Sequence, residues 1–279
     1  MALKDQEIKI ILDYVKKEPH TVQDISRLIK RSWVTTDSYL KQVKEKTGLI
    51  DIKTFRKGTQ AALKIVFYCH ADVALSDEIK ESLFHRVKSS QFKQEFDFMD
   101  VYQFVPDNKK KAYSEEYNDE EISRNPRLIE LFSQAKHTVY CFSGNLSFIN
   151  MKEKNKPILS IIEEMAKRKV VFKIICRVNV ASLTNLNKLS KLIEKYPASF
   201  EIRHHYQPLR GFIIDDKIAR FKNEEPIQKY KKGELQKSTR IWYEIRDQEW
   251  VEWLQKVFWN LFRSSMDYES RQKELKNIF

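Results

Sequence analysis

The spacing of apolar residues changes period once, at Gly48, and that change constrains the first quarter of the chain more than any other feature. Upstream, Ile8, Ile11, Leu12 and Val15 recur every three or four residues, which predicts an amphipathic helix that Pro19 ends. Thr21 is suited to cap a second helix, with Asp24 in its first turn and Val22, Ile25, Leu28 and Ile29 inward. A break at Arg31 and Ser32 leads to a third helix, roughly 34–46, with Leu40 and Val43 on its buried side. Gly48 fits the position just past a helix end, where positive φ is needed. Downstream the period is two. Ile50, Ile52 and Thr54 alternate, 56–59 (Arg-Lys-Gly-Thr) reads as a turn, and Ala62 to Tyr68 as the returning strand.

Three helices followed by a basic hairpin make a winged helix-turn-helix, predicted over 1–68. With Leu40 and Val43 inward, Ser32, Trp33, Thr35, Ser38, Tyr39 and Gln42 are expected to face outward. Side chains near the start of such a helix hydrogen-bond to base edges in a major groove. Lys30, Arg31, Lys41 and Lys44 flank that face where phosphates would lie, and Arg56 and Lys57 sit at the wing tip. Double-stranded DNA is therefore the expected partner. The alternative is a protein-interaction module, with Trp33 and Tyr39 as contact aromatics and the lysines simply solvated. Thr21 to Leu28, then Arg31 to Thr36, then Tyr39-Leu40 resemble the helix-turn-helix of archaeal winged-helix regulators.

Charge supports the DNA reading and divides the chain. The net charge is +12 over 279 residues. By segment it is +6 over 1–68, −5 over 69–124 and +11 over 125–279, so an acidic middle separates two basic ends. Glycine is scarce, at 5 residues, where ~7% is usual. Neither a dinucleotide-binding glycine string nor a phosphate-binding P-loop is present. Cys69, Cys141 and Cys176 have no zinc-type spacing and read as buried thiols of a reducing cytoplasm; no cofactor or metal is expected. No membrane-spanning run and no signal peptide are read.

In the middle segment, predicted as a helical connector over 69–124, Leu75, Ile79, Leu83 and Val87 mark one apolar helix face. Phe92, Phe96, Phe98, Met99, Val101, Tyr102 and Phe104 form an aromatic stretch expected to pack. Cys69, His70, Asp72 and His85 fit no defensible metal site, and 106–125 reads as a flexible stretch.

From residue 125 strands and helices alternate. Strands are predicted at 138–143, 170–176, 200–204, 211–215, 218–221 and 239–245, with helices at 158–167, 183–196 and 247–263. This order predicts a mainly parallel sheet covered by helices, so the whole chain belongs to the α+β and α/β classes. The stretches 135–177 and 208–217 resemble one half of the phospholipase D fold. The pattern Trp242, Trp250-Val251 and Phe258 to Phe262 resembles that half-domain in the TrmB family of regulators.

The catalytic phospholipase D motif is His-x-Lys-x4-Asp. Placing its aspartate at Asp215 puts Pro208 at the nucleophilic histidine and Arg210 at the lysine. Proline offers no nucleophile, and neither His204 nor His205 has Lys or Arg two residues on, so no catalytic residue is expected. Arg210 either binds a phosphate or carboxylate, pairs with Asp215, or is plain surface charge. Halves of this superfamily pack around a two-fold axis, so the resemblance implies a homodimer, which also suits a helix-turn-helix reading two half-sites. A sugar-sensing domain after this half is not expected. The expected function is a cytoplasmic, nucleoid-associated transcription regulator whose C-terminal part dimerises and senses a small anionic effector. A sequence-tolerant DNA-coating protein, a divergent nuclease or phosphodiesterase, and a protein-interaction adaptor are the alternatives.

Overall fold

The structure is a computed structural model that describes residues 3–56, 62–69, 76–117, 127–153, 155–229 and 237–278. Its N-terminal part runs α1 (Asp5–Val15), β1 (His20–Thr21), α2 (Val22–Leu28), α3 (Trp33–Thr47), β2 (Ile50–Arg56) and β3 (Ala62–Tyr68). The three strands pair antiparallel in the order β1-β3-β2, so the period change at Gly48 is the step from helices to hairpin. Gly48 has φ 64° and its N–H closes α3 on the Lys44 carbonyl at 2.9 Å. Ile11, Val15, Val22, Ile25, Leu40 and Val43 share one core with Ile50 and Val66 from the hairpin. The turn expected at 56–59, including Gly58, lies mostly outside the described residues.

Then follow α4 (Ser76–Ser89), α5 (Met99–Tyr102) and β4 (Lys110–Glu116). Ile79, Leu83 and Val87 place their apolar face on the core as their spacing predicts; Leu75, His70 and Asp72 lie outside the described residues. The aromatic stretch packs: Phe98 stacks on Phe221 at 4.4 Å between centroids, and Tyr102 meets Tyr243 at 5.0 Å. Phe92 departs from it and stays 44% exposed. The flexible stretch expected over 106–125 is corrected in its first half, because 110–116 is an edge strand. Complementary charge explains why so polar a segment pairs. Lys111 lies opposite Glu244 and Glu115 opposite Arg240 on the neighbouring strand.

The remainder comprises α6 (Leu128–Ser133), β5 (Thr138–Phe142), β6 (Lys152–Glu153), β7 (Lys156–Pro157), α7 (Ile158–Lys167), β8 (Val171–Cys176) and α8 (Val180–Lys195). After these come β9 (Phe200–His204), β10 (Gly211–Ile214), β11 (Ile218–Glu225), β12 (Thr239–Ile245), α9 (Gln248–Arg263), β13 (Met266–Asp267) and α10 (Tyr268–Ile278). An eight-stranded sheet orders them β13-β9-β8-β5-β10-β11-β12-β4. Among the described residues only β5–β8 and β8–β9 are parallel, so the mainly parallel sheet expected from sequence is corrected to a mixed one. Helical crossovers join β5, β8 and β9, whereas a turn at 215–217 returns β10 directly to β11 as a hairpin.

Alternation in β5 divides the interior. Val139 and Cys141 enter one core, with α6, α7 and α8, while Tyr140 and Phe142 face the other, with α4, α5 and α9. Among the described residues no helix is long and apolar enough to cross a membrane.

Candidate nucleic-acid interface

The helix-turn-helix is held by side chains that close on their own backbone. Thr21 Oγ1 accepts the Asp24 N–H at 3.1 Å, and Asp24 Oδ2 accepts the Thr21 N–H at 3.2 Å, a reciprocal cap on α2. In the turn, the Ser26 hydroxyl donates to the Arg31 carbonyl and the Arg31 N–H returns to the Ser26 carbonyl, both at 3.1 Å. Lys30 supplies the left-handed residue of that turn, at φ 52°. Ser32 caps α3, its hydroxyl accepting the Thr35 N–H at 3.1 Å.

These constraints fix which face of α3 meets solvent. Val34, Ser38 and Lys41 are exposed one turn after another, Thr35 and Gln42 are half-buried beside them, and Lys30 and Lys44 are exposed at either end. Tyr39 is a correction: expected outward, it is buried at 3% exposure in the core with Leu40 and Val43. Its position directly before Leu40 puts it on the inner half of the helix, and its ring is large enough to fill that space. Trp33 is half-buried against the same core, with the Lys64 ammonium 5.0 Å from its ring centroid.

Several cations already have partners. Arg31 Nη2 lies 3.0 Å from Glu7 Oε1, Lys41 lies 3.1 Å from Asp37, and Lys44 pairs with Asp51. Asp37 also pairs with Lys64. Burial pushes the Asp37 carboxyl up, but Lys64 and Lys41 outweigh it and hold it below the ordinary carboxylate range. Arg56 closes β2, but its side chain, like all of Lys57, lies outside the described residues.

Sequence reasoning passed over Val34, which is 74% exposed in the first turn of α3. Its place four residues before Ser38 was the available signal. The surface thus offers hydroxyls, an amide, a methyl-bearing side chain and cations together, which are the groups that contact base edges and phosphates.

The three positions aligned to the phospholipase D motif do not converge. Asp215, at φ 52° in the β10–β11 turn, accepts the backbone N–H groups of Lys136, His137 and Thr138 at 3.0, 2.8 and 2.9 Å. Pro208 is buried. Arg210 neither pairs with Asp215 nor stands free on the surface: its Nη1 donates to the carbonyls of Gln207 and Leu209 at 3.0 and 2.6 Å. His204 Nδ1 accepts the Val178 N–H at 2.9 Å, and burial keeps both His204 and His205 below the usual imidazole pKa.

No protein-family model matches the chain, and no curated protein matches its sequence. Among solved structures it is similar to TrmBL2, an archaeal chromatin protein with a novel mode of DNA binding, at 16% identity and TM-score 0.41, covering 96% of this chain and 94% of that one. It is similar to the phospholipase D family member Nuc from Salmonella typhimurium at 14% identity and TM-score 0.38, over 57% of this chain and 98% of that one. NucT from Helicobacter pylori gives 16% identity and TM-score 0.38, over 57% of this chain and 99% of that one.

Proposed function

We propose that the chain binds double-stranded DNA through α3 and regulates transcription as a homodimer, at the chromosome. The α/β part would serve dimerisation and sense a small anionic effector. The observation that carries this reading is the solvent face of α3, where Val34, Ser38, Lys41 and Gln42 lie side by side after a capped N-terminus. An apolar docking surface would present aromatic side chains there, whereas Tyr39 is buried in the core and Trp33 is half-buried against it. Cleavage of phosphodiesters is not part of the reading, since Pro208 stands where the histidine route needs its nucleophile.

Fluorescence anisotropy with a labelled duplex tests it, with light scattering for the oligomeric state. Lys41→Glu together with Ser38→Glu is expected to weaken binding by about a hundredfold or more at moderate salt. Circular dichroism should still report a folded chain, because both side chains are exposed and Asp37, which loses Lys41, keeps its pairing with Lys64. Undiminished duplex binding by that folded variant would remove DNA from this face.

A net +11 over 125–279 favours a second reading, in which the protein coats DNA without regard to sequence. It predicts equal affinity for unrelated duplexes and several dimers on one long fragment; preference for a short palindrome would reject it.

A further inference from the structure

Two arginines, Arg177 just after parallel β8 and Arg210 just before antiparallel β10, converge on one glycine. Gly144 follows β5 and Arg177 follows β8, and the Arg177 N–H donates to the Gly144 carbonyl at 2.8 Å. A Cβ built on Gly144 would lie 3.0 Å from Arg177 Nη2, and 3.0 Å from both Nε and Nη2 of Arg210. The two guanidiniums therefore approach a single point, no farther from each other than twice that distance. Burial and then the neighbouring Arg177 bring the Arg210 pKa down to about 10.

Like charges brought together in a half-buried site are costly unless something neutralises them. Among the described residues neither arginine forms an ion pair. Arg210 spends Nη1 on two carbonyls, which leaves its Nε–Nη2 edge toward Gly144. The Nε of Arg177 is buried without a hydrogen-bond partner. The adjoining cavity, about 270 Å³, is lined by both arginines, Lys222, Lys93, Phe148 and Trp242. Among the described residues its one carboxylate, Glu224, is already held by Lys222 at 2.8 Å, by Lys93, and by Arg240 at 3.6 Å.

We infer that Arg177 and Arg210 form the binding site for a dianionic phosphate group, free or as the monoester of a small organic molecule. The Nε–Nη2 edge of a guanidinium matches two oxygens of a phosphate, and a second guanidinium matches its second charge. The aromatic lining suits an organic substituent on the ester. This deepens the effector-sensing part of the proposed function and rests on that part for its biological meaning. The site itself does not depend on whether α3 meets DNA.

Isothermal titration of the full chain, without DNA, tests the site with orthophosphate, phenyl phosphate and acetate at constant ionic strength. Orthophosphate or phenyl phosphate is expected to saturate, and acetate to bind at least about tenfold more weakly. Tighter binding of phenyl phosphate assigns a monoester; equal affinities assign the inorganic ion. Arg177→Gln should weaken phosphate by about tenfold or more and raise the melting temperature of the ligand-free protein, because it removes a repelling charge. Arg210→Lys keeps the charge but loses the fork, and should weaken phosphate too. Absence of saturable phosphate binding, acetate binding as tightly, or undiminished affinity in both folded variants would overturn the site. None of these outcomes bears on duplex binding, which the anisotropy experiment reads separately.

Discussion

The Glu7 carboxylate receives both Nε and Nη2 of Arg31 on one oxygen, at 3.2 and 3.0 Å, and so ties the first helix to the turn before α3. The Arg31 side chain is 32% exposed, so under the proposed DNA-binding reading its outer side would meet a phosphate while its inner side holds the turn.

That double attachment separates Arg31 from Lys30. Arg31→Ala should lower both the melting temperature and duplex affinity. Lys30→Ala should leave the melting temperature unchanged and reduce the salt slope of binding by about one counterion. Melting curves together with anisotropy across a salt series check the pair.

Two glycines differ in why they are glycine. Nothing lies within 4 Å of a Cβ on Gly48, so Gly48→Ala costs only the left-handed backbone, about 1 kcal/mol. A Cβ on Gly211 would sit 2.3 Å from the Arg220 carbonyl oxygen in the paired strand. Gly211→Ala should therefore exceed the ~1–3 kcal/mol of ordinary overpacking. Urea denaturation of both variants measures the contrast.

Burial pushes the Glu224 carboxyl up, but the Lys222 and Lys93 ammoniums outweigh it and hold it at about 2. A depressed carboxylate contributes stability that is present above its unfolded pKa and lost as pH falls through its folded one. Wild type should therefore lose stability between about pH 4.5 and about pH 2 through this group, on the order of 2 kcal/mol. Glu224→Gln should be less stable at neutral pH, and the difference should shrink through that window in acid denaturation.

Asp100 runs the other way. Burial and the nearby Asp97 push its carboxyl up to about 7, despite Arg86 beside it. The folded chain holds this proton more tightly, so the stability it brings is full below the ordinary carboxylate pKa and fades as pH rises through about 7. Asp100→Asn should melt higher than wild type near about pH 8, with the gain vanishing toward about pH 4.

Local pattern carried the N-terminal elements. Thr21 and Asp24 form the reciprocal cap at their expected places, and Gly48 takes its left-handed conformation where the period changes. Burial of single side chains was less readable. Tyr39 has a hydroxyl and aromatic character that suit either side of a helix, and only the core decides. The segment 110–116 reads as polar and loose because the charges that make it a strand are supplied by Glu244 and Arg240, far along the chain. Arg177 escaped for the same reason. Its meeting with Arg210 at Gly144 depends on β5, β8 and β10 lying side by side, and no motif spans such a distance.

Phe55, Leu63 and Ile65 of the hairpin sit in the same hydrophobic core as α4, α5 and α9. The wing is therefore also a wall of the next compartment. Severing the chain after residue 68 would strip these three side chains of their cover, leaving a fragment prone to self-association. In the intact protein Leu83, Val87, Val101 and Leu254 share that cover, so the hairpin is held by side chains that belong to later helices.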